Sequence, residues 1–590
     1  MCGIAGMMRV GRAPPEAGLL DRFDAALAHR GPDGRGDLVS GSLAMVQRRL
    51  AIIDLAGGDQ PLFEPGGAGI IVNGEIYNYR ELRALFPGAP FRTASDCEPP
   101  LYLYRRDGLH FAEALRGMYA IALHDPGADR LLLARDPFGI KPLYTVERED
   151  GIAFASEPQA LIAAGLVRPS LLPEAVEELL QLQFTTGRDT VFRGIRRVLP
   201  GETLVVQDGR IVERHRRAAL PDGPPVQIDT QEALERLDAV LMDSVAMHQR
   251  SDVPYGLFLS GGIDSAAVLA CMARLNDRPV TCFTAGFDVP EAADERAAAA
   301  RLAASVKADH LEVGFSERDF WEMLPAVAAA MDDPAADYAT LPTFKLAQAA
   351  RAHVKVVLSG EGGDELFAGY GRYRSAARPW WLGGRVPRSR GTFDKLAGVL
   401  RETPRAWRDG IAAEEAMSRL GGRNRLQATQ AADIATWLPN DLLGKLDRCL
   451  MAHALEGRTP FLDRVVGDFA FRLPDRLKIR DGMGKWLLRR WLRDALPASE
   501  PFARKQGFTV PVGAWIARHG AELGRRVARQ EGVREIARPD AVEALFRTDG
   551  KRPRFAAWTL LFYALWHRRH LGGLAPDGDV FDCLPAGASL

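Results

Sequence analysis

Tyr255-Gly256-Leu257-Phe258-Leu259-Ser260-Gly261-Gly262-Ile263-Asp264-Ser265 decides the fold of the larger part of the chain. The apolar run ending at Leu259 reads as a short buried strand, two glycines turn it, and Ala266–Leu275 follows as an apolar helix. Outward from this unit, Gln231–His248 has a helical pattern, Val280–Phe283 reads as a strand, Glu295–Val306 as a helix and Val354–Leu358 as a third apolar strand. Strands alternating with helices predict parallel βαβ units, hence an α/β domain, and the chain turns mostly helical from about residue 395. The glycine turn suits a pyrophosphate, because its N–H groups can converge and the helix N-terminus adds partial positive charge. It is not a Walker A loop, since no G-x-x-x-x-G-K-[ST] stretch occurs in the chain.

Upstream the character differs. Gly69–Val72, Tyr119–His124, Arg130–Ala134 and Thr203–Val206 are short β-like runs separated by turn signals such as Asp208-Gly209. Only Ala17–His29 and Pro173–Gln183 read as helices there, so the expectation is an α+β domain built on antiparallel sheets. Ala219–Thr230 carries three prolines and little periodicity and reads as the linker. The division expected is therefore 2–217, a linker at 218–230, 231–570, and a flexible Gly/Pro-rich tail at 571–590.

A chain of 590 residues is too long for one hydrophobic core, which agrees with two large domains. Lys+Arg and Asp+Glu both number 76, so no global charge favours nucleic acid or anionic membranes, and phosphate binding must be local. The six cysteines are scattered, with no C-x-x-C pair and no His/Cys cluster, which argues against a zinc site or disulfide framework and for a reducing cytoplasm. No signal peptide and no apolar run of about 20 residues is present, so a soluble cytoplasmic protein is expected.

Cys2 follows the initiator Met, and its removal would leave a thiol and a free α-amine on one residue. With a pKa near 7.7–8.0, such an amine can activate its own side chain. Cys2-Gly3-Ile4-Ala5-Gly6 reads as a strand. Downstream stand His29-Arg30-Gly31-Pro32-Asp33, Arg49-Leu50-Ala51-Ile52-Ile53-Asp54, Asn73-Gly74-Glu75-Ile76-Tyr77-Asn78 and Ser95-Asp96-Cys97-Glu98. In this order the blocks resemble the glutaminase domain of class II amidotransferases, nearest to glutamine-hydrolysing asparagine synthetases of the B type. The resemblance implies an N-terminal-nucleophile αββα sandwich with Cys2 as nucleophile. It also implies glutamine contacts by Arg49, Leu50, Ala51, Ile52, Ile53, Glu75 and Asp96, and an oxyanion hole of the Asn73 side chain and the Gly74 N–H. These roles suit the chemistry: a guanidinium for the α-carboxylate, carboxylates for the α-ammonium, N–H donors for a developing oxyanion. Asn-Gly is also a leading signal for a type I′ hairpin turn, and both readings can hold together. Cys97 reads as a buried packing residue.

Ser260–Ser265 resembles the SGGxDS loop of ATP-pyrophosphatases, and Leu358-Ser359-Gly360-Glu361-Gly362-Gly363-Asp364-Glu365-Leu366-Phe367 resembles its partner turn in the same synthetases. The resemblance implies an adenine nucleotide α-hydrolase-like domain that takes ATP as co-substrate. The nucleotide contacts implied are Leu259, Ser260, Gly261, Gly262, Ile263, Asp264, Ser265, Ala285, Ser359 and Gly360. Asp264 and Asp364 would hold Mg²⁺, as hard carboxylate oxygens suit, and Glu361 would be the acid/base group. Lys485 in Gly484-Lys485-Trp486 and Lys505 in Arg504-Lys505-Gln506-Gly507-Phe508 are the cations implied, Lys505 for the transition state and Lys485 for phosphate; Glu456-Gly457-Arg458-Thr459-Pro460-Phe461-Leu462-Asp463 is another matching block.

The function so implied is a glutamine- and ATP-dependent amide ligase, with aspartate as the family's default acceptor. Asp337-Tyr338-Ala339-Thr340-Leu341-Pro342-Thr343 lacks the Arg that such enzymes carry there, so a carboxylate on a peptide or sugar stays open, as does a plain glutaminase with an inactive second domain. No nucleic-acid or membrane partner is expected, and a homodimer is left open.

Overall fold

The computed structural model describes residues 2–287, 294–378, 381, 384–503 and 510–586. Up to Arg216 the chain builds two six-stranded sheets, antiparallel throughout. Gly3–Arg9 runs between Leu43–Arg49 and Gly151–Ala155 in one; Gly69–Ile76 and Gly117–Asp125 pair in the other. Side chains alternate across each strand. Ile4 and Met8 join Ile71, Ala120, Leu133 and Leu204 in the core between the sheets, whereas Ala5 and Met7 face outward to the helix Leu19–Leu27. On the far face of the second sheet, Ile70, Val72 and Leu123 pack against Leu101 and Tyr104 of the helix Pro99–Asp107. The result is the αββα layering expected.

The second domain is a five-stranded parallel sheet in the order Asp309–Phe315, Thr281–Phe287, Tyr255–Phe258, Val356–Leu358, Glu456–Arg458. Helices cover both faces: Val356 and Leu358 pack with Leu237, Leu241 and Ala267, and Val357 with Leu324, Ala347 and Trp558 on the other side. Strand order reverses between Tyr255–Phe258 and Val356–Leu358, and ligands of such sheets sit beyond the strand ends at that reversal. Both glycine-rich turns emerge there. The helix after the first turn starts at Ile263 rather than Ala266, which puts Asp264 and Ser265 into its first turn. Asp309–Phe315 was invisible to the sequence reading because it is the sheet edge, where half of its residues stay polar and partly exposed.

Two expectations change. The linker is not a free tether: Val226 N–H donates to Arg472 O at 2.8 Å, Gly223 N–H to Gly421 O at 2.7 Å, and Leu220 and Ile228 are buried. In place of a loose tail, residues 571–586 carry the helix Val580–Cys583, with Val580 and Leu584 fully buried and Phe581 5.1 Å from the Trp321 ring. Among the described residues no helix is long and apolar enough to cross a membrane.

Candidate functional sites

Cys2 opens the first strand, and its backbone N–H donates to Asn73 Oδ1 at 3.1 Å. Asn73 and Gly74 lie inside the strand Gly69–Ile76, opposite Ala120 and Tyr119, so the hairpin-turn reading of Asn-Gly is wrong. Glycine is required at 74 by close approach instead: a Cβ there would stand 2.1 Å from Met118 O. Asn73 Nδ2 lies 3.4 Å from Ser156 Oγ, which also accepts the Ile4 N–H at 3.0 Å, so Ser156 orients the amide. Burial raises the Cys2 thiol pKa, while the Leu50 N–H and Arg49 pull it down.

Glu75 and Asp96 are both buried, and burial first of all raises the pKa of each, well above the usual value for Glu75, where Asp96 and Glu456 add to it. Two facing acids in so dry a place form a receptacle for a cation. Asp96 is fixed by the Ile76 N–H at 2.7 Å. Arg49 gives one terminal nitrogen to Asp54 O at 2.7 Å and the other to Asp59 Oδ1 at 2.8 Å; the Asp59 side chain is 77% exposed. The stretch after Arg49 is tied by Ala51 N–H to Asp33 Oδ2 at 2.9 Å, and the same oxygen meets Lys355 Nζ of the second domain at 2.9 Å. Cys97 is buried against the Leu101 and Tyr104 cluster, as a packing residue should be.

In the second domain the two glycine turns converge on a cleft of about 330 Å³, lined by Ser260, Gly262, Asp264, Ser359, Gly360 and Glu361, with Leu259, Ser265, Ala285 and Asp364. Gly261 and Ile263 do not line it. The turns touch: a Cβ at Gly360 would meet Asp264 Cβ at 2.8 Å, and one at Gly363 would meet Asp264 Oδ1 at 2.5 Å. Ser265 Oγ braces the first turn, accepting the Ser260 N–H at 3.1 Å. Lys485, buried beneath the cleft at the left-handed N-cap of Trp486–Ala495, pairs with Asp264 and lies 2.6 Å from Asp364 Oδ1. Burial would lower its pKa, but the two carboxylates outweigh that and hold it raised. Lys505 lies outside the described residues.

Glu361 is pushed up by burial, and Glu365 to about 8 by burial with Asp364. Opposite them, Lys445 Nζ meets Asp337 at 2.7 Å, and Asp441 is pushed up to about 7, first by burial and then by Asp337. Lys445 thus places a cation in the cleft lining, paired with the first residue of the Arg-free stretch 337–343. No motif surrounds it in sequence, so only the fold reveals it.

The sequence reading also missed the ionic seam between the domains. Arg30, fully buried, bonds Glu157 at 2.7 Å and Asp447 at 2.8 Å, and its Nε donates to Cys2 O at 3.1 Å. Arg458, also fully buried, pairs with Glu456 at 2.6 Å and reaches Glu75 at 3.4 Å, while its carbonyl accepts the Ser359 N–H at 2.8 Å. One residue thus touches the acids of the first site and the nucleotide turn of the second. Arg458→Met would take the guanidinium away from Glu456 and Glu75; breaking such a buried pair costs about 3–5 kcal/mol. The expected result is a clear fall in melting temperature, larger than for Arg490→Met, whose Asp494 partner is exposed.

Residues 1–216 match the family described as glutamine amidotransferase domain, and residues 236–568 the one described as asparagine synthase. The chain is 32% identical to asparagine synthetase [glutamine-hydrolyzing] 1 of Bacillus subtilis, over 96% of each chain. To asparagine synthetase B [glutamine-hydrolyzing] of Escherichia coli it is 29% identical, covering 96% of this chain and 89% of the relative. Amidase chry2 of Gibberella zeae is 28% identical over 83% of each. The two family matches together span all three sheets and both sites, and the chain belongs to the glutamine-hydrolysing asparagine synthetase family.

Proposed function

We propose that the chain is an asparagine synthase (glutamine-hydrolysing): a cytoplasmic carbon–nitrogen ligase that makes asparagine from aspartate, glutamine and ATP and releases AMP and pyrophosphate. The reading assigns the glutaminase to 2–217 and the synthetase to 231–570. The observation that carries it is the cation-bridged pair Asp264–Lys485–Asp364 at two touching glycine turns, in a chain whose Cys2 lies against Asn73.

Removal of Met1 turns the Cys2 N–H into an α-amine beside Asn73 Oδ1, able to take the thiol proton. Glutamine enters with its α-ammonium on Glu75 and Asp96 and its α-carboxylate displacing the exposed Asp59 from Arg49. The thiolate adds to the side-chain carbonyl, whose oxygen is met by the Gly74 N–H and the Asn73 amide. Ammonia departs, and water clears the glutamyl thioester. In the second domain a carboxylate oxygen of the acceptor attacks the α-phosphorus of ATP, pyrophosphate leaves, and ammonia then displaces AMP from the acyl-adenylate. Lys485 faces the phosphate side of this step, and Glu361 takes the proton that ammonia sheds.

Mg²⁺ commonly binds one or two carboxylates together with nucleotide phosphates. Asp264 and Asp364 supply that donor set, already turned toward one positive charge, and would hold it; the ion would neutralise phosphate charge. Among the described residues no cluster of three metal-ligating side chains occurs.

Aspartate fits a site with both signs of charge: Lys445 for its α-carboxylate and Asp337 for its ammonium. The amidase among the relatives and the missing arginine favour, as a second reading, a carboxylate on a larger acceptor. The test supplies glutamine, ATP and Mg²⁺ with and without aspartate and measures asparagine, AMP and pyrophosphate. Aspartate-dependent AMP supports the first reading; glutamate release with AMP formation indifferent to aspartate would overturn it.

A further inference from the structure

A second cavity, of about 230 Å³, opens away from the nucleotide cleft and shares no lining residue with it. Five arginines line it: Arg385, Arg388, Arg419, Arg423 and Arg425. Its two carboxylates are already engaged by guanidinium groups, Asp433 by Arg372 at 2.7 Å and Glu415 by Arg408 at 2.6 Å. Arg385, Arg419 and Arg425 make no ion pair among the described residues. In a chain of zero net charge, so local an excess of positive charge is a built feature rather than general basicity.

Arg388 is the most deliberately held of the five. Its backbone is left-handed, at φ 47°, a conformation costly for a side chain of this size. Its guanidinium lies 4.3 Å from the Trp437 ring centre and 5.5 Å from that of Phe184, and it reaches Asp433 only at 3.5 Å. Its Nη2, and the Nε of Arg423, are buried and find no acceptor among the described residues. Burial lowers the Arg388 pKa in spite of Asp433, as for a charge whose neighbours do not fully balance it. Buried donors without acceptors are rare in folded proteins, and both side chains belong to the lining of this cavity, which has room for an oxyanion.

We propose that this cavity binds a phosphate-bearing small molecule. A phosphomonoester brings nearly two negative charges and three acceptor oxygens, which match several guanidinium forks at once. A single carboxylate would leave most of the positive charge uncompensated. The site is joined to the cleft by one ring: Trp437 lies against the Arg388 guanidinium and, tilted at 5.1 Å, against Tyr370, which lines the cleft, and its indole N–H donates to Asp441.

The test is calorimetry on the full chain with the cleft saturated by a non-hydrolysable ATP analogue and Mg²⁺, using inorganic phosphate and pyrophosphate as probes and citrate as the carboxylate control. Saturable binding of the phosphates is expected, with citrate weaker. The double variant Arg385→Glu/Arg425→Glu, at two exposed positions, should weaken it at least about tenfold while keeping glutaminase activity, which reports an intact fold. No saturable heat from either phosphate, equal affinity in the double variant, or citrate binding as tightly as phosphate would each overturn the assignment.

Discussion

Cys2→Ala will abolish amide formation from glutamine and leave amide formation from ammonium salts intact. The Cys2 thiol, beside Asn73, is the nucleophile that the account places on the glutamine carbonyl; Asn73, Glu75 and Asp96 can bind and orient, but none adds to carbon. Loss of a covalent nucleophile lowers turnover by about 10⁴-fold or more in enzymes of this type of chemistry. The nucleotide turns belong to a different sheet, and Cys2 reaches them only through intermediaries such as Arg30 and Glu75. Substitutions at such remote positions act nearly independently, so the ammonia-dependent rate should stay within roughly twofold. Glutamate release and AMP formation, measured with each nitrogen source, check this. Loss of the ammonia-dependent reaction would contradict two separable sites.

Lys485→Met will produce the opposite pattern: glutaminase activity retained, AMP and pyrophosphate formation reduced by at least about 10²–10³-fold. Methionine fills most of the volume of the lysine stem, so packing beneath the cleft survives. What is lost is the fixed positive charge that pairs with both Asp264 and Asp364 at the phosphate side of the cleft. Without it, the negative charge that develops on the phosphates meets two carboxylates and no lysine between them. Pyrophosphate release and glutamate release on the same preparation separate this from unfolding. Unchanged pyrophosphate release would leave the phosphate-side charge to another cation, with Lys505→Met, at the lysine that the resemblance implies for the transition state, as the next variant to measure.

Much of this was legible in the residue string, because the signals were local. Glycine turns following apolar strands announced the parallel domain, and Cys2 with its downstream blocks announced the first site, since each block concentrates its chemistry within a few residues. What escaped was created by tertiary contact. Lys445 sits in an ordinary helix and becomes interesting only when Asp337, over a hundred residues away, lies 2.7 Å from it. Arg30 and Arg458 stood inside quoted blocks, yet nothing nearby in sequence says that they join the domains. Asn73-Gly74 misled for the opposite reason: local turn propensity was overridden by pairing with Ala120 and Tyr119 in a central strand. The edge strand Asp309–Phe315 does alternate, Leu311, Val313 and Phe315 against Glu312 and Gly314, but so short a run after Asp309 and His310 does not stand out on its own.

The most direct test of the account follows nitrogen through the whole chain. Glutamine labelled with ¹⁵N at its amide is supplied with ATP, Mg²⁺ and aspartate, and glutamate, AMP and labelled asparagine are counted together. The account predicts the three in equal amounts, with the label in the side-chain amide. Glutamate accumulating without matching AMP and without labelled asparagine would contradict it.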